Sequence, residues 1–98
     1  MKILSGTYKG IRIETMKNAS YRPTKSRVRK SIFDTISPFN YLNVLDLYSG
    51  SGVLGFESAS RGATSVTFVE NNFKNIKLLS HNKIKFDATD FSVIKNNV

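Results

Sequence analysis

The sequence has no cysteine, one histidine, two prolines and only seven Asp or Glu against fifteen Lys or Arg. Without cysteine there is no disulfide framework and no thiolate metal centre. The lone histidine, His81, lies in a polar stretch of Ser, Asn and Lys and reads as a solvated loop residue. No apolar run approaches the ~20 residues that a membrane helix requires. Met1 leads into a mixed polar segment, with no apolar core of a signal peptide behind it. A cytoplasmic location with no membrane partner is the default expectation. Ninety-eight residues make at most one small domain with a modest core.

The shortage of acids is uneven. Residues 1–43 hold nine Lys or Arg and two acids, whereas residues 44–98 hold six and five. The expected organisation is therefore a basic front, residues 1–43, joined to a near-neutral half, residues 44–98. A basic front suggests a polyanionic partner; the plainer alternative is a solvated basic surface. Within it, residues 2–14 read as a β-hairpin, because Ile11 and Ile13 alternate with Arg12 and Glu14 and Tyr8-Lys9-Gly10 supplies a turn. Lys2, Lys9 and Arg12 would line its exposed face with Tyr8 beside them. An aromatic among cations suits single-stranded nucleic acid, where bases stack and phosphates pair. Charges on an edge hairpin also serve simply to block aggregation. Thr24 or Ser26 can cap a helix running to about Ile36. Val28, Ile32 and Ile36 fall on one stripe with Phe33 alongside, and Arg27, Arg29 and Lys30 fall on the polar side. Pro38 ends it.

Residues 44–55, VLDLYSGSGVLG, organise the remainder. A short apolar strand over residues 44–48 runs into a glycine-rich turn that opens a helix over residues 53–61. The spacing Gly50-x-Gly52-x-x-Gly55 is that of a dinucleotide-type turn, whose glycines let a ligand approach main-chain amides at a helix N-terminus. Alone the pattern is weak, since it also describes a turn that merely packs helix on sheet. Two acids strengthen it. Glu70 ends a second apolar strand over residues 65–70, where an acid reaches ribose hydroxyls. Asp46, inside the first strand, would repel a pyrophosphate but favour a cationic ligand. The pair leans towards S-adenosylmethionine, a sulfonium and ammonium carrier, and away from a nicotinamide dinucleotide. A short helix over residues 73–79 places Phe73, Ile76 and Leu79 on one face. A third strand follows over residues 84–86, and residues 91–94 begin a last helix with Asp90 as its N-cap. The expected fold class is α/β: an N-terminal hairpin and helix, then the β-α-β-α-β first half of a doubly wound sheet.

Three stretches together resemble one family: RPTKSRVRKSIFD at residues 22–34, LDLYSGSGVLGFESASRGA at residues 45–63 and FVE at residues 68–70. The opening ILSGTYKGIRI, residues 3–13, is similar to that family's first hairpin. The resemblance is to the bacterial 16S rRNA guanine-N2 methyltransferases of the D type, class I enzymes that use S-adenosylmethionine. It implies that Asp46, Gly50, Ser51 and Gly52 surround the methionine part of the donor, that Tyr48 also belongs to the donor site and that Glu70 holds the ribose. It also implies that Asp87 and the Ala88 backbone read its adenine. Lys2, Lys9, Arg12, Arg22, Thr24, Arg27 and Lys30 would face ribosomal RNA or a small-subunit assembly intermediate. The family's Asn/Asp-Pro-Pro-aromatic motif, which holds the target amine, has no counterpart here, as the prolines are Pro23 and Pro38. No catalytic or metal-ligating residue is therefore assigned, and the expectation is a truncated form of such an enzyme. The alternative is a non-catalytic nucleic-acid-binding module derived from one. A strand that is central in the full sheet would here have an unpaired edge, which implies self-association or a covering partner.

Overall fold

The computed structural model describes residues 1–15 and 26–96. Helix α1 (Ser26–Thr35) precedes strand β1 (Asn43–Leu47), helix α2 (Val53–Ser60), strand β2 (Ser65–Glu70), helix α3 (Phe73–Asn82) and strand β3 (Asp90–Lys95). The strands form one parallel sheet in the order β1-β2-β3. Val44 lies opposite Val66 and Asp46 opposite Phe68; Val66 and Phe68 lie opposite Phe91 and Val93. This is the first half of a Rossmann-like sheet, as expected. Among the described residues no helix is long and apolar enough to cross a membrane.

Residues alternate sides along a strand, so Val44, Asp46, Val66, Phe68, Phe91 and Val93 share one face. The helices cover that face. Phe56 of α2 lies 5.0 Å from Phe68 and 5.3 Å from Phe91, ring centre to ring centre. Leu79 of α3 joins the same buried cluster.

The third strand departs from the sequence reading. Residues 84–86 are not a strand: α3 runs on to Asn82, and Lys83–Lys85 close it as a 3-10 turn. Phe86 then plugs the core, fully buried and stacked on Phe56 at 4.7 Å. The sheet is completed by Asp90–Lys95, where Phe91 and Val93 alternate inward; the helix expected over residues 91–94 is this strand, and Asp90 opens it instead of capping a helix. Short apolar runs do not distinguish strand from helix by themselves. Packing on Phe56 and Phe68 decides the matter.

The N-terminal segment is less regular than a hairpin. Among the described residues of this segment only Lys2 and Arg12 form a β-bridge, closed by Ile3 N–H to Ile11 O at 2.9 Å and Ile13 N–H to Met1 O at 2.7 Å. Its loop is held on α2. Glu57 accepts from the amides of Leu4 and Ser5, and the Ser60 carbonyl accepts from Thr7 N–H. Gly6 makes that approach possible: its φ is 91°, and a Cβ there would sit 2.0 Å from the Ser60 carbonyl oxygen. Ile3 and Ile13 enter the same core as Phe56 and Phe68. The division at residue 43 is thus one of charge, while the packing is continuous.

Two helix faces are also corrected. In α1 the buried residues are Arg29 and Phe33, while Val28 and Ile32 are exposed. Arg29, expected on the polar side, is fully buried 3.8 Å from fully buried Glu57. In α3 the buried residues are Asn75, Leu79 and Asn82, with Phe73 exposed. His81 is an exposed residue of α3, not of a loop, and its Nε2 lies 2.9 Å from the Glu14 carboxylate.

Candidate functional site

The connection from β1 to α2 is built from left-handed backbone. Tyr48, Gly50 and Gly52 have φ of 56°, 58° and 81°. For Tyr48 this is an unfavourable conformation that glycine would adopt freely, and such strain concentrates at functional turns. Two ties hold it. Ser49 donates its hydroxyl to the Asp46 carbonyl at 2.6 Å and its amide to the Val69 carbonyl at 3.2 Å. The Gly50 amide donates to Glu70 Oε1 at 2.9 Å.

The glycines do more packing than the spacing alone suggested. A Cβ on Gly52 would stand 2.4 Å from Leu79 Cδ2, and one on Gly55 would stand 2.3 Å from Phe68 Cε1. Both positions press α2 against the sheet and α3. Ser51 is buried with them, and Gly52 provides no side-chain cap.

Glu70 and Asp46 sit at the C-terminal ends of adjacent strands and point to the same face. Glu70 is 8% exposed. Besides the Gly50 amide it accepts from Asn72 N–H at 2.8 Å and Asn75 Nδ2 at 3.3 Å, both on Oε2. A carboxylate offers about four acceptor sites, so capacity for a further donor remains on Oε1. Asn72 in turn caps α3 through the amides of Lys74 and Asn75. Asp46 Oδ2 accepts from the Gly55 amide at 3.2 Å, capping the first turn of α2. Burial pushes its carboxyl up to about 6; the Gly55 amide opposes this, and the Glu70 charge adds to it. Among the described residues no ion pair offsets the charge on Asp46. An acid placed so is suited to a cationic ligand, which would restore its ordinary acidity. Three features thus meet at one end of the sheet: main-chain amides of a strained turn, an acid with spare acceptor capacity, and a second acid with no counter-ion among the described residues. They fit a ligand that brings both hydroxyls and positive charge. Among the described residues no group of three His, Cys, Asp or Glu could hold a metal.

Asp87 and Ala88 do not join this site. They precede β3, whose first residue pairs with Ser65, so they lie at the opposite end of the parallel sheet from Gly50 and Glu70. The Tyr8 hydroxyl donates to Asp87 Oδ1 at 3.2 Å and accepts from the Ala88 amide at 3.0 Å. Tyr8 is therefore committed to this corner, its ring 4.9 Å from Phe86, and is not an open stacking platform.

Lys2, Lys9, Arg12, Arg27 and Lys30 are all exposed. Arg22 and Thr24 lie outside the described residues. Lys2 and Arg12 face each other across the bridge, and Lys85 joins them by donating to the Arg12 carbonyl at 2.8 Å. The Met1 amine completes the cluster; burial first, then the charges of Arg12, Arg29, Lys2 and Lys85, press its pKa down. The sequence carried no signal for Lys85, because its place in the cluster depends on the 3-10 turn. Arg27 and Lys30 line a groove of about 500 Å³ with Leu4, Ser5 and Arg61. Lys30 also pairs with Asp34 at 2.6 Å.

The family model described as conserved hypothetical protein 95 matches residues 1–98. A Bacillus subtilis protein named as a candidate rRNA methyltransferase, YlbH, is 37% identical over 98 residues, covering 99% of this chain and 53% of its own length. Ribosomal RNA small subunit methyltransferase D of Buchnera aphidicola subsp. Baizongia pistaciae is 38% identical over 99 residues, covering 99% of this chain and 50% of its own. A solved structure from Escherichia coli, described as a methyltransferase candidate, superposes with a TM-score of 0.84 at 28% identity, over 99% of this chain and 52% of that one. The chain spans about half the length of the relatives it matches.

Proposed function

Because the chain belongs to the conserved hypothetical protein 95 family, we propose that it is the donor-binding and RNA-facing half of a cytoplasmic methyltransferase acting on guanine N2 of 16S rRNA. Its sheet is the first half of the class I methyltransferase fold. The names of its relatives support rRNA as the substrate class. S-adenosylmethionine as donor is supported by one observation above the others: Asp46, pushed up to about 6 beside a left-handed glycine turn, lacks a counter-charge among the described residues.

When bound, S-adenosylmethionine supplies an electrophilic methyl group on a sulfonium. The residues of this chain bind and orient. Asp46 holds positive charge at the end of β1, and Glu70 accepts from hydroxyls while fixing the turn through Gly50. Tyr48 and the buried turn at Ser51 and Gly52 keep that end of α2 in a single shape. Orientation of this kind is a large part of what catalysis of a two-substrate transfer requires. The exposed cations at Lys2, Lys9, Arg12, Arg27 and Lys30 would position an RNA backbone. The same cations support a second reading, an RNA-binding module that performs no chemistry.

Calorimetry separates these readings. The folded chain is titrated with S-adenosylmethionine and, in parallel, with a nicotinamide dinucleotide. One-site binding of the methyl donor with none of the dinucleotide is expected. A folded chain that binds RNA but gives no donor heat supports the second reading, and a preference for the dinucleotide removes the first.

A further inference from the structure

Phe73 opens α3 with its ring 60% exposed. The buried face of α3 is Asn75, Leu79 and Asn82. Asn75 lies roughly 200° around the helix from Phe73, so seating the asparagine turns the ring outwards. A lone exposed apolar side chain is ordinary on a protein surface. This one is set apart by its neighbours. Lys77 Nζ, one helical turn on, lies 5.2 Å from the ring centre, and Lys95 Nζ, from the last residue of β3, lies 5.8 Å from it. Both fall within the roughly 6 Å over which a ring face attracts a cation. The ring keeps its exposure with both lysines present, so a flat group still has access to it.

No acid balances these lysines among the described residues, which include all seven acids of the sequence. Glu14 meets His81, Asp34 meets Lys30, and Glu57 meets Arg29 and Arg61. Asp46 caps α2, and Glu70 is taken up by the Gly50 and Asn72 amides. Asp87 accepts from Tyr8 and Asp90 starts β3, both at the far end of the sheet. Lys77 and Lys95 are thus two like charges brought to one ring with no counter-charge. The ring is also held in place. Asn72 Oδ1 accepts from the Lys74 and Asn75 amides, and Asn75 Nδ2 donates to Glu70 Oε2 at 3.3 Å. The first turn of α3 is thereby tied to the end of the sheet that carries Glu70, whose register partner is Lys95.

We infer that Phe73, Lys77 and Lys95 form a stacking platform for one unpaired base of RNA, with its flanking phosphates on the two lysines. A base offers a flat face to the ring, and the phosphates beside it supply the negative charge that the lysines lack. Duplex RNA does not fit, because its bases already stack on one another. The platform stands on α3 and β3, apart from the cluster of Lys2, Arg12 and Lys85, so a strand of RNA has two separate contacts on the chain. The inference rests on the RNA part of the proposed function and does not depend on the donor.

The full chain is titrated by fluorescence anisotropy with a single-stranded RNA and with a blunt RNA duplex. Phe73→Ala should weaken single-strand binding about 10-fold, Phe73→Trp should keep it, and duplex binding should change with neither, while circular dichroism stays that of the unaltered chain. Lys77→Gln with Lys95→Gln should make the log–log salt slope for the single strand shallower by about 1.4. An iodouridine-labelled strand irradiated on the unaltered chain should crosslink to Phe73, read by mass spectrometry. Calorimetry with S-adenosylmethionine runs in parallel on each variant. Single-strand binding that Phe73→Ala leaves intact, or crosslinks that avoid Phe73, overturns the platform and leaves the RNA reading standing. A Phe73→Ala chain that loses the donor but keeps RNA assigns the ring to the donor and overturns the platform as well. A folded chain that binds neither RNA overturns the platform together with the RNA reading.

Discussion

Asp46 is where charge, burial and backbone meet most closely. Its carboxyl is pushed up to about 6 by burial, against an ordinary value of 3.8. Between about pH 4 and pH 6 the native chain therefore holds a proton that the unfolded chain has released, so stability falls as pH rises through that window. Asp46→Asn should flatten this slope, read from denaturation midpoints at several pH values. A cationic ligand needs the ionised form, so donor affinity should fall as pH drops below about 6, and the Asn variant should lose that dependence. Arg29 and Glu57 illustrate the opposite case, a buried charge with its partners present. Glu57 accepts from Leu4, Ser5 and Arg61 and faces Arg29. Glu57→Gln should cost about 3 kcal/mol or more in urea unfolding, because it removes a buried carboxylate that faces Arg29 and accepts from Leu4, Ser5 and Arg61. Asp46 and Glu70 were legible as a pair because strand ends and a glycine turn fix their relative places. Arg29 was not, because helical periodicity assigns a charged residue to solvent and cannot see a carboxylate on another element.

The β1-turn-α2-β2 unit followed directly from the pattern of apolar strand, glycines, small-residue helix and second strand. What the pattern left open was the purpose of the glycines. Gly55 lets α2 settle on Phe68, so Gly55→Ala should destabilise the chain by about 1–3 kcal/mol, the usual cost of overpacking. The reason is that its Cβ would meet the ring at 2.3 Å; thermal melting checks it. The last third of the chain was misread for a related reason. Ile84 and Phe86 form too short a run to be called by period, and α3 extends further than its apolar residues indicate because Asn75 and Asn82 are buried polar residues of its inner face. Asn82 bonds to the backbone of Glu14 as both donor and acceptor, a contact between distant segments that sequence periodicity does not record. Moving the third strand from residues 84–86 to Asp90–Lys95 also moved Asp87 and Ala88 to the far end of the sheet.

At the scale of the whole molecule, the basic excess lies on segments that share a core with the near-neutral half. Lys2, Arg12, Lys85 and the Met1 amine form a cluster distinct from the end of the sheet that carries Asp46 and Glu70. RNA affinity should therefore fall steeply with salt, with a log–log slope of about −0.7 per phosphate contact for single strands. Replacing Lys2, Arg12 and Lys85 together should make the slope shallower by about 2, measured by fluorescence anisotropy, and should leave donor binding unaltered. The central claim is that a methyl donor sits between the strained turn, Asp46 and Glu70. The most direct measurement is an amide chemical-shift titration of the folded chain with S-adenosylmethionine. The account predicts that the Gly50 and Gly55 amides, bonded to Glu70 and Asp46, shift early and saturably and that Glu70→Ala abolishes the response. Saturable shifts that leave Gly50 and Gly55 unmoved, or no shifts at all in a chain with dispersed resonances, would contradict it.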